Sequence, residues 1–106
     1  MPTITVEGNN LVVSNREGFT GMTLFVSYHS GQTVSDAYAE FTRATTIGKY
    51  YKGYNTEQGY LKYSAAEMDN CKPLTNSGNY YIYLRYKGAD GVQQMIAFVY
   101  NHTVVE

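Results

Sequence analysis

The chain has 106 residues, enough for a single domain over 1–106 and too few for two, and 12 of them are tyrosine while none is tryptophan. Eight basic and nine acidic side chains give a net charge of -1, without the clustered Lys and Arg that attract nucleic acid or an anionic membrane surface. No apolar run approaches the ~20 residues of a membrane span, and residues 1–3 lack the basic and apolar segments of a signal peptide, so we expect neither nucleic-acid binding nor membrane insertion.

The first third of the chain predicts three short strands. Apolar residues at 4 and 6 begin a strand that stops at the turn sequence Gly8-Asn9-Asn10, and residues 11–13 begin the next. Residues 22–28 alternate apolar and polar side chains up to Ser30-Gly31, which predicts a third strand.

The middle of the chain gives a weaker pattern. Residues 34–41 fit either an irregular strand or a short helix, because their apolar spacing suits both. Residues 48–59 are rich in Tyr, Gly and Lys, which favours an edge strand and a loop. A strand over 60–64 and a connection over 65–74, with one helical turn at 66–68, are predicted next.

The last third has the clearest alternation. Over 80–87, one face carries Tyr80, Ile82, Leu84 and Tyr86, and the other carries Tyr81, Tyr83, Arg85 and Lys87. Residues 88–91 end in Asp-Gly, a strong hairpin signal, and 92–100 form the returning strand. Both faces of that returning strand are partly apolar, so its register stays open.

One segment resembles a known family. Residues 76–84, Asn-Ser-Gly-Asn-Tyr-Tyr-Ile-Tyr-Leu, resemble the immunoglobulin-superfamily pattern D-S-G-x-Y-x-C-x-V that leads into the sixth strand of that fold. The resemblance makes Tyr80 the tyrosine-corner residue, with its hydroxyl bonded to the backbone a few positions upstream. It places Ile82 where the family has its second cysteine.

The chain departs from that family in lacking a cysteine on 22–28 and any tryptophan. It is therefore more similar to the disulfide-free immunoglobulin-like or fibronectin-III-like modules of bacterial surface and secreted proteins. This resemblance implies an all-β, antiparallel immunoglobulin-like sandwich of about seven strands, with one short helical turn. It also implies a location at the cell surface or outside the cell, and neighbouring domains of a parent chain among the partners.

Residues suited to metal binding or catalysis are few. A zinc site needs three or four ligands, whereas Cys71, His29, His102 and scattered carboxylates show no such spacing. We expect both histidines at the surface or at strand ends, and Cys71 as a small buried apolar side chain. Glycine spacing matches no phosphate-binding loop. The sequence thus predicts a protein that is not an enzyme and holds no cofactor or metal.

The tyrosines are the one feature that suggests a binding site. Tyr81, Tyr83 and Arg85 form an expected exposed strip, and Tyr50, Tyr51 and Tyr54 an aromatic loop. Such residues suit a protein or glycan partner, and replacing Tyr81 and Tyr83 with Thr should then leave the fold intact. The alternative is that the rings only stabilise the sheet, at about 0.2–1 kcal/mol per cross-strand pair. Two functions follow: a non-catalytic spacer or adhesion module, or a carbohydrate-binding module.

Overall fold

Antiparallel strands make up most of the residues that the computed structural model describes, which are 1–29 and 60–106. The strands in these two ranges are Thr3–Glu7 (β1), Asn10–Ser14 (β2), Thr20–His29 (β3), Tyr60–Ser64 (β4), Gly78–Lys87 (β5) and Gln93–His102 (β6). One 3-10 helix follows β4 at Ala65–Asn70. The predicted all-β class with one short helical turn is therefore confirmed. The predictions for 34–41 and 48–59 lie outside the described residues.

The strands form two antiparallel sheets. One is the hairpin of β1 and β2, joined by the two-residue turn Gly8-Asn9 between the pair Glu7 and Asn10. The other has four strands in the order β4-β3-β5-β6, so β5 pairs with β3 on one side and with β6 on the other. Val26 of β3 lies beside Ile82 of β5, and Ile82 lies beside Phe98 of β6.

The core lies between the hairpin and one face of the four-stranded sheet. Apolar side chains alternate along each strand, so one side of every strand contributes to a single buried cluster. Its buried members on the strands are Leu11, Val13, Met22, Leu24, Val26, Tyr63, Tyr80, Ile82, Leu84 and Tyr86. The predicted shared face of residues 80, 82, 84 and 86 is confirmed. The sequence left open which face of β6 points to the core, and the structure places Ile96 and Phe98 on that face.

The 3-10 helix closes one edge of this core. Ser64 caps it: the Ser64 backbone N–H and hydroxyl both donate to Glu67 Oε1, at 3.0 and 2.8 Å. Met68 is buried on the inner side of the helix, and Leu74 is buried in the connection that follows it. Arg16, from the loop after β2, donates to the Ala65 carbonyl and forms an ion pair with Asp69.

Residues 88–92 join β5 to β6, and three of them, 89–91, form the loop between the hydrogen-bonded residues Gly88 and Val92. The Gly91 N–H donates to the Gly88 carbonyl at 3.0 Å, and the Gly88 N–H donates to the Val92 carbonyl at 3.3 Å. Gly91 has a φ of +77°, the left-handed conformation that such a loop requires at its last position. Asp90 Oδ1 accepts from the Val92 N–H at 3.0 Å, which fixes the loop from within. The hairpin predicted from Asp-Gly is confirmed.

None of the helices in the described ranges is long and apolar enough to cross a bilayer.

Candidate functional site

The predicted binding strip lies on the second face of β5. Tyr81, Tyr83 and Arg85 share that face, opposite Ile82 and Leu84, as the alternation predicts. The expectation that the two tyrosines are exposed is wrong: Tyr81 is 0% exposed and Tyr83 is 9% exposed. Arg85 is half-buried. This face of β5 is therefore no open platform for a sugar or a flat partner.

The ring of Phe25 on β3 contacts two residues of the strip, Tyr83 and Arg85. Its ring stacks on Tyr83 of the neighbouring strand, with centroids 5.5 Å apart and planes 19° apart. The Arg85 guanidinium lies 5.6 Å from the centroid of the Phe25 ring, and the Lys62 ammonium of β4 lies 5.8 Å from it. Cross-strand contacts of this kind stabilise a sheet without any ligand. The other predicted site residues, Tyr50, Tyr51 and Tyr54, lie outside the described residues.

A polar cluster joins both ends of the described chain, and we name it the carboxyl-terminal clasp (Asn9, Tyr100, His102 and Val105). The Asn9 side chain is its centre: Nδ2 donates to the Val105 carbonyl, and Oδ1 accepts from the Val105 N–H, both at 2.7 Å. Oδ1 is also 2.9 Å from Nε2 of His102. The clasp therefore fastens the residues after β6 to the turn between β1 and β2.

His102 is a structural member of the clasp. Its side chain is 2% exposed at the end of β6, so the expected strand-end position is confirmed and the alternative of a surface histidine is wrong. Because Asn9 Oδ1 can only accept, Nε2 must carry the hydrogen. In that tautomer Nδ1 accepts from the Tyr100 hydroxyl at 3.0 Å. Both ring nitrogens are thus engaged within the protein.

Tyr80 makes the backbone contact that the sequence predicts. Its hydroxyl donates to the Asn76 carbonyl and accepts from the Asn76 N–H, both at 3.1 Å. Burial raises the pKa of Tyr80, and the hydrogen bond from the Asn76 N–H offsets part of that rise. The ring also lies 5.0 Å from that of Tyr28, centroid to centroid. The Tyr80 side chain therefore anchors the connection before β5 to the core.

Gly78, the first residue of β5, is placed where no side chain fits. The Tyr28 hydroxyl donates to the Ser77 carbonyl at 2.8 Å, which brings the Tyr28 ring against the backbone of Gly78. A Cβ on Gly78 would lie 2.9 Å from the Tyr28 hydroxyl oxygen, and its φ of +138° is one that side chains disfavour. In the Gly-x-Tyr sequence, the glycine is therefore required by close packing against Tyr28, and the tyrosine supplies the hydrogen bonds to Asn76.

A groove of about 350 Å³ opens beside this corner. The described residues that line it are Leu11, Val26, Tyr28, Leu61, Tyr63, Lys72, Pro73, Leu74, Thr75 and Tyr80. Its walls are largely apolar, and the tyrosine hydroxyls at its walls already have partners, since that of Tyr63 accepts from the Lys72 N–H at 3.0 Å. Burial raises the pKa of Tyr63. The groove is small, near the lower limit for small-molecule sites.

Cys71 packs against the core beside this groove, but it is half-buried rather than buried as the sequence predicts. Its Sγ lies 3.5 Å from the Met68 carbonyl oxygen. Burial raises the pKa of the Cys71 thiol, so the nucleophilic thiolate is disfavoured near neutral pH. Within residues 1–29 and 60–106, no group of three or more His, Cys, Asp or Glu side chains is arranged to hold a metal ion.

Sequence patterns missed the clasp. Asn9 was expected only as a turn residue, and His102 only as a strand-end histidine, because hydrogen bonds across more than 90 positions leave no local pattern. The polar end of β6 is a local signal, since Asn101 and His102 follow the largely apolar residues 95–100 of that strand. No protein-family model, curated protein or solved structure matches this chain.

Proposed function

We propose that this chain is a non-catalytic immunoglobulin-like module of a larger cell-surface or secreted protein, where it acts as a spacer or adhesion unit. The observation that carries the proposal is the path of the chain through the fold. Thr3 begins β1 and pairs with Ser14, whereas Val105 is bonded to Asn9 beside the turn at the far end of β1. The four residue steps from Thr3 to Glu7 span about 13 Å of strand.

This path suits modules joined end to end. A row of domains extends along its length only when each chain enters at one end and leaves at the other. The clasp stabilises the point where the chain leaves the domain. Two hydrogen bonds hold Val105 to Asn9, and a third joins Asn9 to His102. Tension applied to the exit would load these bonds before it reaches the β5–β6 pairing.

Two further observations support the immunoglobulin-like and non-catalytic parts of the proposal. The hydrogen bonds between Tyr80 and Asn76 agree with the tyrosine-corner interaction that the sequence resemblance implies. Among the described side chains, two that could take part in catalysis are occupied in structural contacts, His102 in the clasp and Cys71 against the core with a raised thiol pKa.

Stretching a tandem array of four copies of the chain, joined by short flexible linkers, tests this proposal. A load-bearing spacer should give four separate unfolding events of similar force. Asn9→Ala removes the centre of the clasp and should lower that force, whereas Asn10→Ala, an exposed neighbour at the start of β2, should leave it unchanged. Smooth extension without separate events would overturn the spacer role.

A glycan array on the same wild-type chain decides between the two functions. The spacer proposal expects no binding above background. Specific glycan binding that survives Asn9→Ala would instead support the carbohydrate-binding alternative, which now depends on Tyr50, Tyr51 and Tyr54 because Tyr81 and Tyr83 are buried.

A further inference from the structure

Within residues 1–29 and 60–106, the outer edge of β6 lacks the features that usually protect an edge strand. β6 has ten residues and pairs with β5 without interruption from Gln93 to His102, so no bulge turns it away. It contains no charged residue and no proline, and Met95 is 59% exposed. Among the strands in the described ranges, none pairs with this edge. Long, flat, uncharged edges are the ones that accept another strand.

The loop geometry identifies which backbone groups point outward. The hydrogen bond from the Gly88 N–H to the Val92 carbonyl makes these two residues a hydrogen-bonded pair. Along an antiparallel ladder such pairs alternate, so Gln94, Ile96 and Phe98 bond to β5 and their neighbours face away from it. The residues whose N–H and C=O groups point away from β5 are Gln93, Met95, Ala97, Val99 and Asn101.

We propose that β6 pairs antiparallel with β6 of a second copy of this chain, about a twofold axis at Ala97. In that register Ala97 pairs with Ala97, Met95 with Val99, and Gln93 with Asn101, each with two hydrogen bonds. Every outward backbone group of β6 then has a partner, and the two four-stranded sheets become one continuous sheet of eight.

The side chains of β6 fit a second copy of the same strand. On the core face, Ile96 of each copy meets Phe98 of the other, a β-branched residue beside an aromatic one. On the opposite face, exposed Met95 meets half-buried Val99. No like charges meet in any pair, since β6 carries none. Self-pairing therefore satisfies both the backbone and the side chains in one register.

The other sheet offers a poorer edge. β1 has five residues and ends in Glu7, and a short strand with a terminal charge gives little pairing surface. Strand addition through β6 buries less than the ~1,200 Å² of a tight interface, so we expect a weak dimer, with a dissociation constant of about 10 μM to 1 mM. This inference stands on the β6 edge and does not depend on the spacer proposal.

Sedimentation equilibrium of the full chain, from about 10 μM to 1 mM, tests the pairing. Wild type should shift from monomer to dimer. Ala97→Lys puts two ammonium groups side by side at the twofold axis and should stay monomeric throughout. Ala89→Lys is the matched control, because it makes the same substitution at an exposed residue of the hairpin loop and should dimerise like wild type. Denaturant unfolding should show that both variants are folded.

Amide hydrogen exchange tests the proposed register of the β6–β6 pair. Between 10 μM and 1 mM protein, protection at residues 93, 95, 97, 99 and 101 should rise about twofold to sevenfold, the change in monomer fraction that the expected dissociation constants allow. Residues 94, 96 and 98 are already bonded to β5 and should not change. A wild type that is monomeric at 1 mM overturns the proposal, as does dimerisation of Ala97→Lys equal to that of Ala89→Lys. Added protection at any other strand would place the interface elsewhere and overturn it too.

Discussion

β5 and β6 are neighbours of equal length in an unbroken register, yet their surroundings differ sharply. Six consecutive residues of β5, from Asn79 to Leu84, are buried, so both faces of that strand are covered. Over the first half of β6, Gln93, Met95 and Ala97 are exposed and Ile96 is half-buried. Alternation in a sequence shows which residues share a face. Position in the sheet decides whether that face is covered.

Replacing a buried tyrosine of β5 should have the largest effect. Tyr81→Ala empties a site that is 0% exposed and should lower the free energy of unfolding by about 3–5 kcal/mol. Met95→Ala, at an exposed position on the same side of β6, should change it by about 0.5 kcal/mol or less. Urea denaturation measures both. Equally small losses would mean that the second face of β5 is as open as that of β6.

Two glycines, Gly78 at the start of β5 and Gly91 in the loop before β6, should differ next. Gly78→Ala combines a disfavoured φ with a contact of 2.9 Å to the Tyr28 hydroxyl, and we expect a loss of about 3 kcal/mol. Gly91→Ala meets no atom within 4 Å and only has to adopt a φ of +77°, so about 1 kcal/mol is expected. Thermal unfolding of the two variants compares them. A larger loss at Gly91 would show that the tight contact at Gly78 relaxes freely.

A comparison of two tyrosines on the core face of β5 distinguishes the stability that a hydroxyl hydrogen bond contributes from the stability that ring packing contributes. Tyr80→Phe removes the bonds to Asn76 and should cost about 1–3 kcal/mol. Tyr86 is equally buried, with its ring edge-on to Phe19, and its hydroxyl has no hydrogen bond to the residues that the structure describes. Tyr86→Phe should therefore be near neutral. Similar losses in chemical denaturation at both positions would show that the hydroxyl bonds of Tyr80 to Asn76 add no stability of their own.

Alkaline pH should produce the smallest effect. Burial raises the pKa of Tyr80 in the folded protein above its ordinary value of about 10, so the unfolded chain loses this proton first. Stability from this group is then complete below pH 10 and falls as the pH rises through the folded pKa, by at most about 1.4 kcal/mol per pH unit. Urea titrations at pH 8, 10 and 11 should show a shallower decline for Tyr80→Phe than for wild type. Equal declines would contradict the raised pKa.

Local patterns predicted the elements well where the alternation was strong. The strand expected over 22–28 is Thr20–His29, and that expected over 80–87 is Gly78–Lys87. The loop at 88–91 was predicted because Asp-Gly is a strong turn signal, and Gly91 supplies the positive φ that the loop requires. Even the helical turn at 66–68 appears, within Ala65–Asn70, since a serine followed by a glutamate three positions later can cap it.

The site was harder to predict because it depends on distant contacts. Tyrosine carries an apolar ring and a polar hydroxyl, so Tyr81 suits an exposed face and a buried one equally well, and only the three-dimensional structure shows that it is buried. Asn9 suits a turn, and nothing near it in sequence indicates that its amide bonds to Val105. The backbone contact of Tyr80 was expected from the resemblance of residues 76–84, a segment short enough to contain both Tyr80 and its partner Asn76.

The carboxyl-terminal clasp also bears on the order of folding. The β5–β6 hairpin closes a loop of three residues between Gly88 and Val92, which costs little chain entropy and can form early. The bonds from Asn9 to His102 and Val105 span 93 and 96 positions, so they close one of the longest loops in the molecule. During synthesis, the clasp cannot form until residue 105 has left the ribosome. Until then the first hairpin is held to the rest of the domain by contacts with residues made earlier, such as the 2.7 Å hydrogen bond from the Leu74 N–H to the Asn9 carbonyl.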